Sequence, residues 1–393
     1  MKEDSECRRL PSAAVDCLTA TLSLPPPPPT PPFIPSLVGY ELGNEPTLTN
    51  LPGKNWTAAM LAAEYEQAFA ALAKTYKTRG DGTPTAPWFM GPDATPLAFD
   101  HKPFLRDFLG NLTQRQVWLD VLTYHFYYPH QGEVPDTYVT PAVLDALLNT
   151  TKEAVALHDT YVKAAQRAGA PVSKLVLGET GNPLRANSAG QIPDVFATAI
   201  ATVDKLALAA AQGHAWVNRQ QFSLLIGRVP ASTAPQPTPG FYALQAWRTA
   251  VGGRALNVTH MLNPWREFRA YAMCGKKDSD VTLILINLNR SASAMVDVTQ
   301  QAALLGQQEL AGDNPFADAT RADYVLTSWP SINNASSIEI ALNGQRLTPA
   351  SDGSIPHMQP SKAAKDQSLV LPPLTITFAV FENVNAKACQ AGG

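Results

Sequence analysis

Glu45 and Glu179 are the side chains best placed to do chemistry, because each closes a short apolar run just behind a glycine. Leu37-Val38-Gly39-Tyr40-Glu41-Leu42-Gly43-Asn44-Glu45-Pro46 climbs to Gly43 and stops at an Asn-Glu-Pro corner. Lys174-Leu175-Val176-Leu177-Gly178-Glu179-Thr180-Gly181 follows the same plan. Such a run, ended by turn residues, reads as a buried parallel strand with a carboxylate at its C-terminal end. A charge there is costly unless it is paired or used. One glutamate of this kind is ordinarily a surface-loop residue; two in the same setting suggest a working pair. Two carboxyl groups flanking a sugar linkage are the usual apparatus of glycoside hydrolysis. In a (β/α)8 barrel every strand opens its C-terminal end on one face, so strands far apart in sequence can share a pocket.

Gly43-Asn44-Glu45-Pro46 together with Leu177-Gly178-Glu179-Thr180 resembles the retaining glycosidases whose acid/base follows barrel strand four and whose nucleophile ends strand seven. Gly91-Pro92-Asp93, Tyr124-His125-Phe126-Tyr127-Tyr128, Arg219-Gln220 and Ser337-Ile338-Glu339-Ile340-Ala341-Leu342-Asn343-Gly344 narrow the likeness. In that order and spacing they resemble heparanase-like proteins and the β-glucuronidases of glycoside hydrolase family 79, from about Val38 to Cys389. The resemblance implies Glu45 as acid/base and Glu179 as nucleophile, with the two carboxyls holding their protons differently. It also implies Asn44 on the sugar 2-hydroxyl, Tyr127 on the nucleophile, His125 lining the sugar site and Gln220 facing substrate. A Cys274–Cys389 disulfide is implied as well. Glu41, inside its strand, is expected in a buried network and not in catalysis. The stretch from Leu224 to Phe241 lacks the Gly-Asn-Tyr run that family members use on a uronate carboxylate, which argues against recognition of glucuronate. The basic segments that bind heparan sulfate would lie largely in the missing part, which favours a β-glucuronidase-like ancestry over a heparan sulfate endoglycosidase.

These residues need a scaffold, and strand-helix alternation supplies it. The expected strands lie near residues 38, 88, 120, 175 and 216. Helices are expected over Thr57 to Lys77, from Pro141 behind a Thr140 cap to near Gly169, over Pro193 to Gln212, and over Phe241 to Val251. A closed barrel needs eight strands; by the family pattern these five correspond to strands four to eight. Three further strand-helix units, at about 30 residues each, do not fit into the first 36 residues. Met1 to Arg9 is charged and Pro25 to Pro32 is proline-rich, so this leader reads as a disordered, polyproline II-like segment without a clear signal peptide. The expectation is an incomplete TIM barrel over residues 37–254. The missing part would belong to a longer gene, to a truncation, or to a partner chain. After Arg254 short strands with turn signals alternate, and residues 255–393 are expected to form an antiparallel β-sandwich with a hairpin at Asn343-Gly344.

Composition narrows the function further. At 393 residues, with 45% hydrophobic and 16% charged residues, the chain can bury a large core under a mild surface. A net charge of −3 gives no sign of a nucleic-acid partner. There are four cysteines, none with metal-ligand spacing, and His125 and His130 lack it too. No phosphate loop, dinucleotide fingerprint or Gly-x-Ser-x-Gly elbow occurs, so no cofactor or metal is expected. The expected partner is a glycan or glucuronide substrate. Sequons at Asn55, Asn111, Asn149, Asn257, Asn289 and Asn334 fit a secreted ancestor, and the resemblance implies a secreted, lysosomal or vacuolar, or cell-surface protein.

Overall fold

The fold was obtained as a computed structural model that describes residues 39–46, 56–75, 88–95, 102–127, 139–181, 195–220, 226–228, 235–256, 267–296, 316, 319–363 and 368–390. The leader, His130, the sequons at Asn55 and Asn257, and parts of the 224–241 stretch lie outside the described residues. The chain divides into two compact units. One takes its residues from Met1–Phe126 and Lys152–Glu179, the other from Tyr127–Thr151 and Thr180–Gly393.

The first unit is a strand-helix alternation. Its strands are β1 (Gly39–Glu41), β2 (Trp88–Ala94), β3 (Val121–Phe126) and β4 (Lys174–Thr180, closing at the unit boundary). They lie side by side in chain order. β1 pairs with β2 in parallel, Gly39 opposite Trp88 and Glu41 opposite Met90, and β2 pairs in parallel with β3. Parallel pairing puts all C-terminal ends on one side. Helix α1 (Ala58–Thr75) starts where the Thr57 hydroxyl accepts from the Met60 N–H, the cap expected of threonine. Its Leu61, Tyr65, Ala68 and Leu72 are buried, the three-and-four spacing of one apolar face. Tyr65 packs edge-on against Phe108 of α2 (Lys102–Gln114).

Helix α3 (Pro141–Arg167) begins at Thr140 as its sequence predicts, with the Val143 N–H directed to the Thr140 hydroxyl. In the second unit α4 (Phe196–Ala211) is apolar nearly all round and almost wholly buried, which is what such a helix requires. It nonetheless carries Asp204 and Lys205 inside. Strand β5 (Trp216–Arg219) follows, then the short pair β6 (Ile226–Arg228) and β7 (Pro235–Pro237). Helix α5 (Pro239–Ala250) is capped by Thr238.

The remaining strands are antiparallel. β8 (Ala255–Leu256), β9 (Phe268–Cys274), β10 (Val281–Asn287), β12 (Arg321–Trp329), β13 (Glu339–Leu342), β14 (Gln345–Arg346) and β17 (Thr375–Phe381) form one sheet, with β15 (Ser361–Ala363) beside β12. β11 (Ala294–Val296) and β16 (Leu369–Leu371) form a separate pair, and a short helix α6 (Lys387–Gln390) follows. β10 reads Val-Thr-Leu-Ile-Leu-Ile-Asn and is buried throughout, as a continuous apolar run between two neighbours must be. Leu283 and Leu285 sit in the core with Phe316, Phe381 and Cys389, each full burial contributing about 2 kcal/mol. Cys274 and Cys389 are joined in a disulfide. Asn343 and Gly344 both take positive φ, 50° and 78°, the geometry of a two-residue hairpin turn between β13 and β14. Among the described residues no helix is long and apolar enough to cross a membrane.

Candidate active site

The chain leaves β1 along β2. The Leu42 N–H donates to the Met90 carbonyl and, after a turn at Gly43 with φ of 90°, the Glu45 N–H donates to the Asp93 carbonyl at 2.9 Å. The Tyr65 hydroxyl of α1 donates to the Leu42 carbonyl and pins the start of this turn. Glu45 and Asp93 both lie in the left-handed region, with φ of 44° and 52°. A glutamate there costs on the order of 1–3 kcal/mol and persists only when its surroundings hold it. Two adjacent strand ends thus turn on acidic residues tied to each other through the backbone.

His125 sits near the end of β3, where every residue is buried. Its side chain is 1% exposed, against 22% for Glu45 and 20% for Glu179, so the base is sealed while both acids reach solvent. His125 Nδ1 donates to Glu45 Oε1 at 3.0 Å and lies 3.9 Å from Glu179 Oε2. Its Nε2 is 3.0 Å from Asp93 Oδ1. That approach is off the line of a hydrogen bond, and neither atom makes another, so the contact is an ion pair held by charge. Burial alone would lower the His125 pKa. The Asp93 and Glu45 contacts and the Glu179 charge outweigh it and push the ring up to about 9. His125 is therefore an imidazolium at neutral pH. One carboxylate oxygen of Glu45, one ring nitrogen of His125 and one carboxylate oxygen of Glu179 lie within 4.8 Å of one another.

Gly178 makes this packing possible. A Cβ at that position would overlap Asp93 Oδ1 and come within 3.1 Å of Thr123 Cβ. The glycine before Glu179 is thus the floor on which a neighbouring carboxylate rests. Thr123 Oγ1 accepts from the Asp93 N–H at 3.0 Å. Glu41 joins the same cluster with its pKa pushed up to about 7, first by burial and then by the Asp93 charge. By surface area Glu41 is exposed, contrary to the buried setting expected for it. The Asp93 charge is therefore the better-supported cause.

Other expected site residues lie in the second unit. The Tyr127 hydroxyl donates to Gln220 Oε1 at 2.8 Å, and the Gln220 N–H donates to the Thr180 carbonyl at 2.8 Å. Lys205 donates to Thr180 Oγ1 at 2.7 Å and to the Gly181 carbonyl at 2.9 Å. Asn44 is exposed. Glu45, His125 and Glu179 are brought together, and Tyr127 and Gln220 are brought together. Asp93 and Lys205 were not singled out for a role by sequence. Asp93 carried a signal, an acid after Gly-Pro at a strand end, but its role depends on two other strands.

The cluster suits proton transfer between carboxyls and a bound group.

No protein-family model matches the chain. It is 25% identical over 293 residues to heparanase-like protein 2 of Arabidopsis thaliana, covering 69% of this chain and 52% of that protein. It is 23% identical over 368 residues to heparanase of Bos taurus, covering 90% of this chain and 60% of that one. Over a shorter stretch, 39% of this chain and 26% of the relative, it is 28% identical to inactive heparanase-2 of Mus musculus. The chain spans about half the length of the first Arabidopsis relatives it matches. Among solved structures, an α-L-arabinofuranosidase from Thermotoga maritima aligns with a TM-score of 0.59 at 14% identity, covering 95% of this chain and 73% of that one. A bifunctional glucanase-xylanase from a metagenome library, CelM2, aligns with a TM-score of 0.56 at 14% identity, covering 88% and 64%. The likeness is one of fold: the neighbours are TIM-barrel glycoside hydrolases, and this chain shows a half-barrel of parallel strands and separate antiparallel sheets.

Proposed function

We propose, from the premise that this chain is a heparanase-like protein, that it is a retaining glycoside hydrolase of family 79 type acting on β-linked, glucuronide-containing glycans. The observation that carries this reading is the approach of Glu45 and Glu179 within 4.8 Å around one imidazolium. Retaining glycosidases hold their two carboxyls about 5–5.5 Å apart, whereas inverting ones leave room for a water between them. In the first step Glu179 attacks the anomeric carbon while Glu45 gives its proton to the departing oxygen. In the second, Glu45 takes a proton from water, which attacks the same carbon and releases Glu179. His125 holds the Glu45 carboxyl in place from below, where solvent does not reach it.

The resemblance assigns Asn44, exposed and next to Glu45 in sequence, to the sugar 2-hydroxyl, and gives Tyr127 and Gln220 roles in holding the nucleophile and the substrate. The antiparallel sheets are read as a β-sandwich accompanying an incomplete barrel. The resemblance leads us to propose secretion or a cell-surface, lysosomal or vacuolar location, with Asn149 and Asn334, both exposed, as glycan acceptors. A second reading, a catalytically inactive or carbohydrate-binding relative, is favoured by the inactive protein among its matches. Hydrolysis of a chromogenic β-glucuronide decides between them. Turnover by the chain that Glu179→Gln abolishes supports the hydrolase; a well-folded chain without turnover supports the second reading.

A further inference from the structure

We propose that Asp93 is the positioning residue that fixes the His125 ring against Glu45 and so sets the orientation of the candidate acid/base. The proposal rests on the reading of Glu45 given above. Asp93 is 7% exposed, and a buried carboxylate needs a partner. Its Oδ1 has no hydrogen bond and faces His125 Nε2 at 3.0 Å, while the other ring nitrogen donates to Glu45. The ring is held at both ends, and a ring so held presents one nitrogen to Glu45 in one orientation. The carboxylate is seated as well. Gly178 leaves it space, and the Thr123 hydroxyl takes its backbone N–H.

A simpler explanation is that Asp93 serves only the backbone. Its carbonyl accepts the Glu45 N–H, and aspartate tolerates a positive φ better than most residues. Asparagine tolerates the same φ at nearly the same size and carries no charge. Asp93→Asn therefore separates the two accounts.

The test is the titration of His125, read by NMR on the full chain labelled at histidine and assigned with His125→Asn. The titratable groups around the ring are Glu41 on β1, Glu45 in the turn after it, Tyr65 on α1, Asp93 on β2 and Glu179 on β4. The wild-type ring is expected to keep its proton up to about pH 9. In Asp93→Asn the midpoint is expected to fall toward the ordinary histidine value of about 6.5. On a chromogenic β-glucuronide, kcat of the variant is expected to fall about 10-fold or more at pH 8 with KM within about 2-fold, and to recover part of that loss near pH 6. A purely structural role would lower activity equally at both pH values. A folded Asp93→Asn whose His125 midpoint stays at the wild-type value overturns the proposal. So does a wild-type midpoint at or below about 6.5, which needs no variant to fold. The titration uses no substrate, so its failure leaves the roles of Glu45 and Glu179 to Glu179→Gln. An inactive chain with the expected titration supports the positioning and sinks the hydrolase reading instead.

Discussion

His125 and Lys205 are both buried bases, one in each compact unit, and their surroundings treat them oppositely. Burial disfavours the charged form of each. Around His125 stand Glu45, Asp93 and Glu179, and its pKa rises to about 9. Lys205 donates to a hydroxyl and a carbonyl, and burial together with the Arg219 charge outweighs the help of Asp204 and brings it down to about 7. Near it, Asp204 is fully buried, accepts from the Tyr271 hydroxyl at 2.7 Å and lies 3.6 Å from Arg269, which also donates to Asp145 at 2.7 Å. Burial pushes Asp204 up while the Arg269 charge holds it down, and the nearby acids keep Arg269 above its usual range. The difference teaches what each cluster is for. The second unit mixes signs, so that its charges close on one another inside a core. The first gathers three acids on one base and leaves two of them open to solvent.

The largest expected effect tests the closed network. Arg269→Met leaves Asp204 and Asp145 without their shared cation and is expected to cost about 3–5 kcal/mol in urea denaturation. A loss under about 1 kcal/mol would mean that the network does not depend on that cation.

His125→Gln comes next. A base with a folded pKa of about 9 and an unfolded value near 6.5 contributes stability fully present below about pH 6.5 and lost as pH rises through 9. The interval corresponds to about 3 kcal/mol. Denaturation at pH 6 is expected to show most of that loss in the variant, and at pH 10 little of it.

Lys205→Met comes last because its two contributions partly cancel, and it has the opposite sign with pH. A lysine with a folded pKa near 7 penalises the folded state in full below pH 7, and the penalty fades as pH rises toward 10.5. The variant also loses two hydrogen bonds, at about 1 kcal/mol each. Relative to wild type it is therefore expected to fare best at pH 6 and worse at pH 10. Between pH 7 and 9 the two wild-type bases pull stability in opposite directions, so each slope emerges only when the other base is removed. Parallel pH profiles for the two variants would break the comparison.

Much of this was legible in the chain itself. The runs ending at Glu45 and Glu179, the cap at Thr140 and the Asn343-Gly344 turn are local signals, and local signals survive folding. Helix α2 was not anticipated, although Leu105, Phe108, Leu109 and Leu112 have helical spacing, because Pro103 and Gly110 argue against a helix at that place. The grip on His125 could not be read locally. It needs Asp93 from β2, the ring from β3 and the bare floor of Gly178 from β4. Lys205 was hidden for a similar reason, since a charge in an apolar helix shows its partners only when Thr180 and Gly181 are in place. Glu41 was expected to be buried and is exposed by area, because a strand-end position does not by itself show which neighbours cover a side chain.

The most direct test of the central claim is covalent capture. The chain is treated with a 2-deoxy-2-fluoro-β-glucuronide bearing a good leaving group, and its peptides are weighed by mass spectrometry. The account predicts one added sugar on the peptide containing Glu179, and none in Glu179→Gln. Turnover of the chromogenic glucuronide with no adduct at Glu179, or with the adduct on another carboxylate, would contradict it.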